Sequence, residues 1–270
     1  MTLERVAQDG LVLLGCGKMG TALLTGWLAA GVPAASVWVI EPNPTDWLKG
    51  SGVHLNQGVP PAPAVALLAV KPQMMGAALP ALQALGNGQT LFVSIAAGTK
   101  ISTFEEVLGA QTPIVRTMPN TPAMVGRGIT AICRNAHVSD ADFALARDLM
   151  AAVGQVVELT GEAQIDAVTA VSGSGPAYVF HLIETMAAAG EAEGLPADVA
   201  MKLARATVCG AGELAFQSLE SAAQLRINVT SPGGTTAAAL GVLMDPEAGF
   251  PPLLRRAVKA AADRGRELGK

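Results

Sequence analysis

Charge is scarce in this 270-residue chain. Asp, Glu, Lys and Arg make up 15% of it, against roughly 25% in ordinary soluble domains. Aromatic residues reach only 4%, with three cysteines and three histidines. Each shortage excludes something. The formal net charge is −4, and no Lys/Arg cluster is long enough to follow a phosphate backbone, so nucleic acid is not an expected partner. No apolar run reaches the roughly 18 residues of a spanning helix. The longest runs are broken by Lys18, Lys71, Glu184 or glycines, and no membrane segment is expected. The first residues include Glu4 and Asp9 and lack a signal-peptide pattern, which reads as cytoplasmic. Cys16, Cys133 and Cys209 are far apart, form no CxxC and have no metal-ligand spacing with the histidines. No metal is expected, and all three cysteines read as buried free thiols.

Half of the residues are hydrophobic (50%), enough for a real core and too many for a mainly disordered chain. The length suits one large domain or two ordinary ones. So sparsely charged a surface suits partial cover by another subunit.

Residues 11–160 alternate short apolar strands with helical stretches. Strands are expected at Leu11–Leu14, Val37–Ile40, Val65–Val70, Leu91–Ile95, Thr112–Arg116, Ile129–Cys133 and Gln155–Glu158. Met19–Ala30 reads as a helix that stops at Gly31. Continuous apolar strands with helices between them indicate an α/β fold, a mostly parallel sheet covered on both faces. Beyond Thr160-Gly161 no strand pattern remains. Helices are expected over Glu162–Val171, Ser174–Glu193, Pro196–Phe216, Ser221–Ile227, Gly234–Leu243 and Pro251–Leu268. Residues 1–161 and 162–270 are therefore read as two domains.

Gly15-Cys16-Gly17-Lys18-Met19-Gly20 is G-x-G-x-x-G, following an apolar strand and opening a helix. That context makes it a dinucleotide-binding loop. Gly15 permits the tight turn, Gly17 the approach of a pyrophosphate, and Gly20 close packing of helix on strand. Unpaired N–H groups at the helix start favour phosphate. Glu41 ends the second strand, where a carboxylate accepts from an adenosine ribose 2′-hydroxyl and favours NADH; its bland reading is an exposed strand-end charge. Asn43, Thr45 or a backbone nest could hold a 2′-phosphate instead, so NADPH and NADH both stand. Ala69-Val70-Lys71-Pro72 and Ser94-Ile95-Ala96-Ala97-Gly98 lie at carboxyl ends of strands, where open α/β sheets bind ligands. Lys71 is either a partner for phosphate or carboxylate, or a solvated loop lysine. Asn120, in the stiff Met118-Pro119-Asn120-Thr121-Pro122 segment, reads first as a structural brace.

Two glycine–proline segments stand in the second half: Ser172-Gly173-Ser174-Gly175-Pro176-Ala177-Tyr178 and Asn228-Val229-Thr230-Ser231-Pro232-Gly233-Gly234-Thr235-Thr236. Each precedes a helix whose free N–H groups can hold a carboxylate. Thr235 and Thr236 add hydroxyls. Equally, both are tight helix–helix turns with ordinary caps. Tyr178 and His181 read as helix packing or surface residues.

Together these segments resemble the pyrroline-5-carboxylate reductase family, over nearly all of the chain. The most specific parts are Asp166-Ala167-Val168-Thr169 leading into the Ser-Gly-Ser-Gly-Pro-Ala-Tyr run, and the Ser-Pro-Gly-Gly-Thr-Thr run at 231–236. The resemblance implies an N-terminal Rossmann domain and an all-helical C-terminal dimerisation domain. It implies a homodimer, which many members assemble into rings such as decamers, and an active site between domains to which the partner contributes. It implies reduction of 1-pyrroline-5-carboxylate to L-proline by NADPH or NADH. Ser231, Gly233, Gly234, Thr235 and Thr236 would bind the imine substrate, with Thr236 orienting it or relaying a proton from water. Glu162 matches a position near the proline ligand. Asn228 matches one near the nicotinamide, and Asn56 one that often binds cofactor. The glycine loop, Glu41, Ala69–Pro72 and Ala96–Gly98 complete the cofactor set. The runner-up is another imine reductase or a β-hydroxyacid dehydrogenase. The latter normally needs a lysine acid–base in the helical half, where Lys202 lies amid a helical run. A nonenzymatic dinucleotide sensor is the alternative of a different class.

Overall fold

The computed structural model describes residues 2–269. They divide into two compact units, one of residues 2–173 with 261–269 and one of residues 174–260.

The first unit is built on eight strands: β1 (Leu11–Leu14), β2 (Val37–Ile40), β3 (His54–Leu55), β4 (Val65–Leu68), β5 (Leu91–Ser94), β6 (Ile114–Met118), β7 (Gly128–Arg134) and β8 (Gly154–Glu158). They form one sheet in the order β3-β2-β1-β4-β5-β6-β7-β8. The first six are parallel in the 3-2-1-4-5-6 order of a dinucleotide-binding fold. The helices are α1 (Thr2–Asp9), α2 (Lys18–Ala29), α3 (Asp46–Lys49), α4 (Pro72–Ala78), α5 (Ile101–Leu108), α6 (Asp140–Ala151) and α7 (Ile165–Val168).

β1, β4 and β5 are buried at every position, which is why they read as unbroken apolar runs. Their alternate residues feed two cores. Leu11, Leu13, Val65 and Leu67 join Leu23, Leu24, Trp27 and Leu149 on one face. Val12, Leu14, Ala66, Leu68 and Phe92 join Leu79, Leu82 and Phe104 on the other. Trp27 is fully buried, and its Nε1 donates to Leu149 O at 2.8 Å.

The sheet is mostly parallel, as expected, with one antiparallel pairing towards an edge. β7 runs antiparallel to β6, and β8 follows β7 in parallel. The link from β6 is a single 3-10 turn, Thr121–Val125, closed by Gly126 in the left-handed region (φ +68°). That is too short for the crossover a parallel neighbour needs. β6 also starts later than Thr112. The Thr112 hydroxyl accepts from Asn87 N and donates to Leu108 O, which holds it in the preceding turn. The two-residue β3 carries no apolar alternation that a sequence reading could detect.

The second unit is helical: α8 (Gly175–Ala192), α9 (Ala197–Gln217), α10 (Ala222–Asn228), α11 (Thr235–Leu243) and most of α12 (Phe250–Leu268). The single helix expected over Glu162–Val171 is not found. The chain there passes from a 3-10 turn through α7 into a π-helical turn, Thr169–Gly173, immediately before α8. α8 and α9 pack through small residues, with Ala187, Ala200 and Ala204 buried against Ile183. This core is thin. Phe180, Leu203, Leu214, Phe216 and Val242 are all exposed. Cys16 and Cys133 are buried, but Cys209 is exposed, which corrects the expectation of three buried thiols. Five residues past Ala204, Cys209 falls on another side of α9.

Candidate active site

The loop between β1 and α2 has the geometry its sequence requires. Gly15 sits at φ +88°. A Cβ there would stand 2.8 Å from Val70 Cγ1 and 3.0 Å from the Ala69 carbonyl carbon. A Cβ on Gly20 would stand 2.7 Å from Gly15 O. Around Gly17, by contrast, an added Cβ meets nothing within 4 Å. The two outer glycines are thus packed, while the middle one faces open space where a pyrophosphate can approach. Gly17 is also the cap of α2, with no side chain capping the helix and no acid in its first turn. The positive helix end and its amides are left for an anion.

Glu41 lies directly beyond β2. Its Oε2 accepts from Cys16 N at 2.8 Å, and its Oε1 accepts from Asn43 N at 2.9 Å. The carboxylate is therefore fixed against the glycine loop, and its half-buried position leaves it further lone pairs to offer. Asn56 serves the same corner. Its Oδ1 accepts from Glu41 N and its Nδ2 donates to Glu41 O, both at 2.9 Å. The Cys16 thiol is held above the usual thiol range by burial first, eased by its contact with the Thr21 hydroxyl and reinforced by Glu41.

The next carboxyl-terminal loops complete the rim. Ala69 N donates to Leu14 O and packs near Gly20. Lys71 is exposed, and Pro72 starts α4, where a missing N–H costs nothing. Ser94 Oγ accepts from Ala96 N at 3.2 Å, which tightens the turn. Ala97 is exposed, and Gly98 (φ +75°) lies against Leu268. Asn120 is a brace, its Oδ1 accepting from Ile129 N at 2.9 Å.

Glu162 is tied down inside the first unit. Its Oε1 accepts from Arg116 Nη1 at 2.6 Å and from Ile101 N at 2.8 Å. The Arg116 side chain is 5% exposed. Sequence reasoning gave Arg116 no role; the available signal was a charge directly after the apolar pair Ile114-Val115. Cys133 faces Arg116 across the β6–β7 ladder. Burial, with the Glu162 charge, pushes its thiol up to about 11, and Arg116 opposes that rise.

In the second unit, Gly233 takes the left-handed conformation (φ +70°), and Gly234 N donates to Ser231 O at 3.0 Å. α11 then starts with no side-chain cap and no acid in its first turn. Ser231, Gly233 and Thr235 are exposed, and Gly234 and Thr236 are half-buried. The turn brings all five predicted residues to one open helix start. Asn228 is held within its own helix region, accepting from Gln224 Nε2 at 2.8 Å and donating to Glu220 Oε2 at 3.0 Å. His181 is exposed, its Nδ1 3.1 Å from Glu184 Oε2. Among the described residues no three His, Cys, Asp or Glu side chains are placed to hold a metal ion. Among them, too, no helix is long and apolar enough to cross a membrane.

Residues 162–268 match the model of pyrroline-5-carboxylate reductase dimerisation. Residues 11–98 match that of coenzyme F420-dependent NADP oxidoreductases. A pyrroline-5-carboxylate reductase of Pseudomonas aeruginosa is 41% identical over 266 residues, covering 96% of this chain and 97% of its own. The chain belongs to the pyrroline-5-carboxylate reductase family. A Synechocystis reductase of this family is 42% identical over 96% of this chain and 98% of its own. The Coxiella burnetii pyrroline-5-carboxylate reductase superposes with a TM-score of 0.91 at 35% identity, covering 97% of this chain and 99% of that one. The Plasmodium falciparum pyrroline carboxylate reductase, solved with NADP bound, gives 0.83 at 30% identity over 97% and 98%. The Rossmann-like first half and helical second half expected for the family are both present.

Proposed function

We propose that this chain reduces 1-pyrroline-5-carboxylate to L-proline with NAD(P)H, the last step of proline biosynthesis, as a homodimer in the cytoplasm. Assembly of such dimers into a decamer fits the same reading. Functionally, residues 1–161 form the dinucleotide-binding domain and residues 162–270 the substrate-binding and dimerisation domain. The observation that carries the proposal is the pairing, in one chain, of a dinucleotide loop open only at Gly17 with a capless turn at 231–236, in a sequence 41% identical throughout to a reductase of this name.

The residues present fit the cofactor. Amides at the start of α2 receive the pyrophosphate, with Gly15, Cys16, Gly17, Lys18, Met19 and Gly20 as its cradle. Glu41 accepts from the adenosine ribose. Ala69, Val70, Lys71 and Pro72 line one side. The small residues Ala96, Ala97 and Gly98 let the ribose and nicotinamide pass close to the backbone. When bound, the reduced nicotinamide supplies a hydride from its C4 to the imine carbon, and the imine nitrogen gains a proton to give a secondary amine. The chain's part is positioning. Ser231, Gly233, Gly234 and Thr235 hold the substrate carboxylate on backbone N–H groups and a hydroxyl. Thr236 orients the ring and passes a proton from water, since a threonine hydroxyl is itself too weak an acid. Glu162 supports the substrate side through its bond to Arg116, and Asn228 serves the nicotinamide end. No metal or covalent adduct is needed.

Initial rates with purified protein, pyrroline-5-carboxylate and each reduced nicotinamide test this directly. Oxidation of cofactor coupled to equimolar L-proline is the expected result. Cofactor binding without turnover of the imine would leave a dinucleotide sensor instead.

A further inference from the structure

Among the described residues, Asn56 is one of two non-glycine residues held at positive φ (+53°). It stands just past the two-residue β3, and its N donates to Val39 O at 2.8 Å. There the ladder beside β2 ends, and the Asn56 side chain takes over. Its amide group pairs with both the N–H and the C=O of Glu41, as a further strand residue would. Asn is among the few residues that tolerate this backbone, because a short polar side chain can bond locally. His54 adds support one step earlier, stacking on Trp38 with ring centroids 4.5 Å apart and placing Nε2 3.0 Å from Ala35 O.

This clamp has a consequence for the carboxylate. With its backbone fixed, Glu41 reaches across to Cys16 N and back to Asn43 N. Two amides at this corner, Cys16 N and Asn43 N, are thereby occupied by a negative group. A free 2′-hydroxyl can donate to that group, whereas a phosphate is repelled by it.

We propose that Asn56 is a positioning residue for cofactor choice, clamping Glu41 so that the site selects NADH over NADPH. The inference rests on the reading of Glu41 as the ribose acceptor. It differs from the expectation that Asn56 acts by binding cofactor itself: each of its amide atoms bonds Glu41, and the cycle below separates that role from a direct contact through the second N–H of Nδ2.

The test is a cycle of kcat/KM for NADH and for NADPH with wild type, N56G, E41S and the double variant. Glycine keeps the left-handed backbone while deleting both side-chain bonds. Wild type is expected to prefer NADH, and E41S to lose that preference by roughly tenfold or more. N56G should raise the KM for NADH roughly three- to tenfold at unchanged kcat, without a matching loss for NADPH. In the E41S background it should change neither cofactor. Equal loss for both cofactors makes Asn56 merely structural. An undiminished loss in the E41S background makes it a direct ligand. Either overturns the proposal. Failure of the Glu41 reading is separately visible, as an unchanged cofactor ratio in E41S with Asn56 intact. Should N56G not fold, N56D keeps the acceptor and tolerates the backbone. Its KM for NADH should rise at constant kcat, and an unchanged KM overturns the proposal.

Discussion

The three glycines of the dinucleotide loop do different work, and single substitutions separate them. Gly17→Ala places a methyl in open space at a permitted backbone (φ −70°). Stability should change by less than about 1 kcal/mol, while the KM for cofactor rises tenfold or more. Gly20→Ala drives a methyl to 2.7 Å from Gly15 O and should cost roughly 1–3 kcal/mol as an overpacked contact. Denaturant melts with cofactor titrations distinguish the two patterns. At Cys133 the prediction concerns pH. Its folded pKa is raised from 9.0 to about 11, so the folded state favours the neutral thiol. The contribution is complete below pH 9 and declines as the unfolded thiol ionises, until it is lost near pH 11. The thermal midpoint should fall over that interval, and Cys133→Ala should reduce the fall. An identical pH profile in the variant would contradict this assignment.

At the scale of elements, Arg116 and Glu162 form a joint. The pair links β6 to the 3-10 turn at Glu162–Gln164, and through Ile101 N to the start of α5. Arg116 is buried, so removing its partner strands a charge. Glu162→Ala should destabilise the protein by roughly 2–3 kcal/mol, below the roughly 3–5 kcal/mol for breaking a fully buried pair because Glu162 is itself partly exposed. Glu162→Gln, which keeps an acceptor, should lose less; equal losses measured by chemical denaturation would contradict the joint. This joint was not legible in the sequence, since the partners are far apart along the chain. The parallel core was legible, because β1 and β4, buried at every position, are apolar throughout. So were the tight packing at Gly15 and Gly20 and the open space at Gly17, because motif and context coincide. The antiparallel β7 was not, since strand direction is decided by the short turn before it rather than by its own residues. Nor was the commitment of Asn56 to Glu41, which depends on a strand too short to leave a pattern.

The whole molecule presents an imbalance. The first unit has two full cores, while the helical unit buries little beyond Ala187, Ala200 and Ala204. Phe180 is 61% exposed, Leu203 52% and Leu214 56%. Apolar faces of this kind are covered by association, in keeping with a segment that matches a dimerisation model. Phe180→Glu should convert the dimer to monomer in sedimentation velocity and abolish turnover while preserving cofactor binding; a dimer of undiminished stability would remove Phe180 from the interface. The central claim is hydride transfer onto a bound cyclic imine. The most direct measurement supplies pyrroline-5-carboxylate with reduced nicotinamide deuterated at C4 on the transferring face and reads the product by mass spectrometry. L-proline carrying one deuterium at Cδ is the expected product. Proline without label at that carbon, or labelled cofactor bound and never consumed, would contradict it.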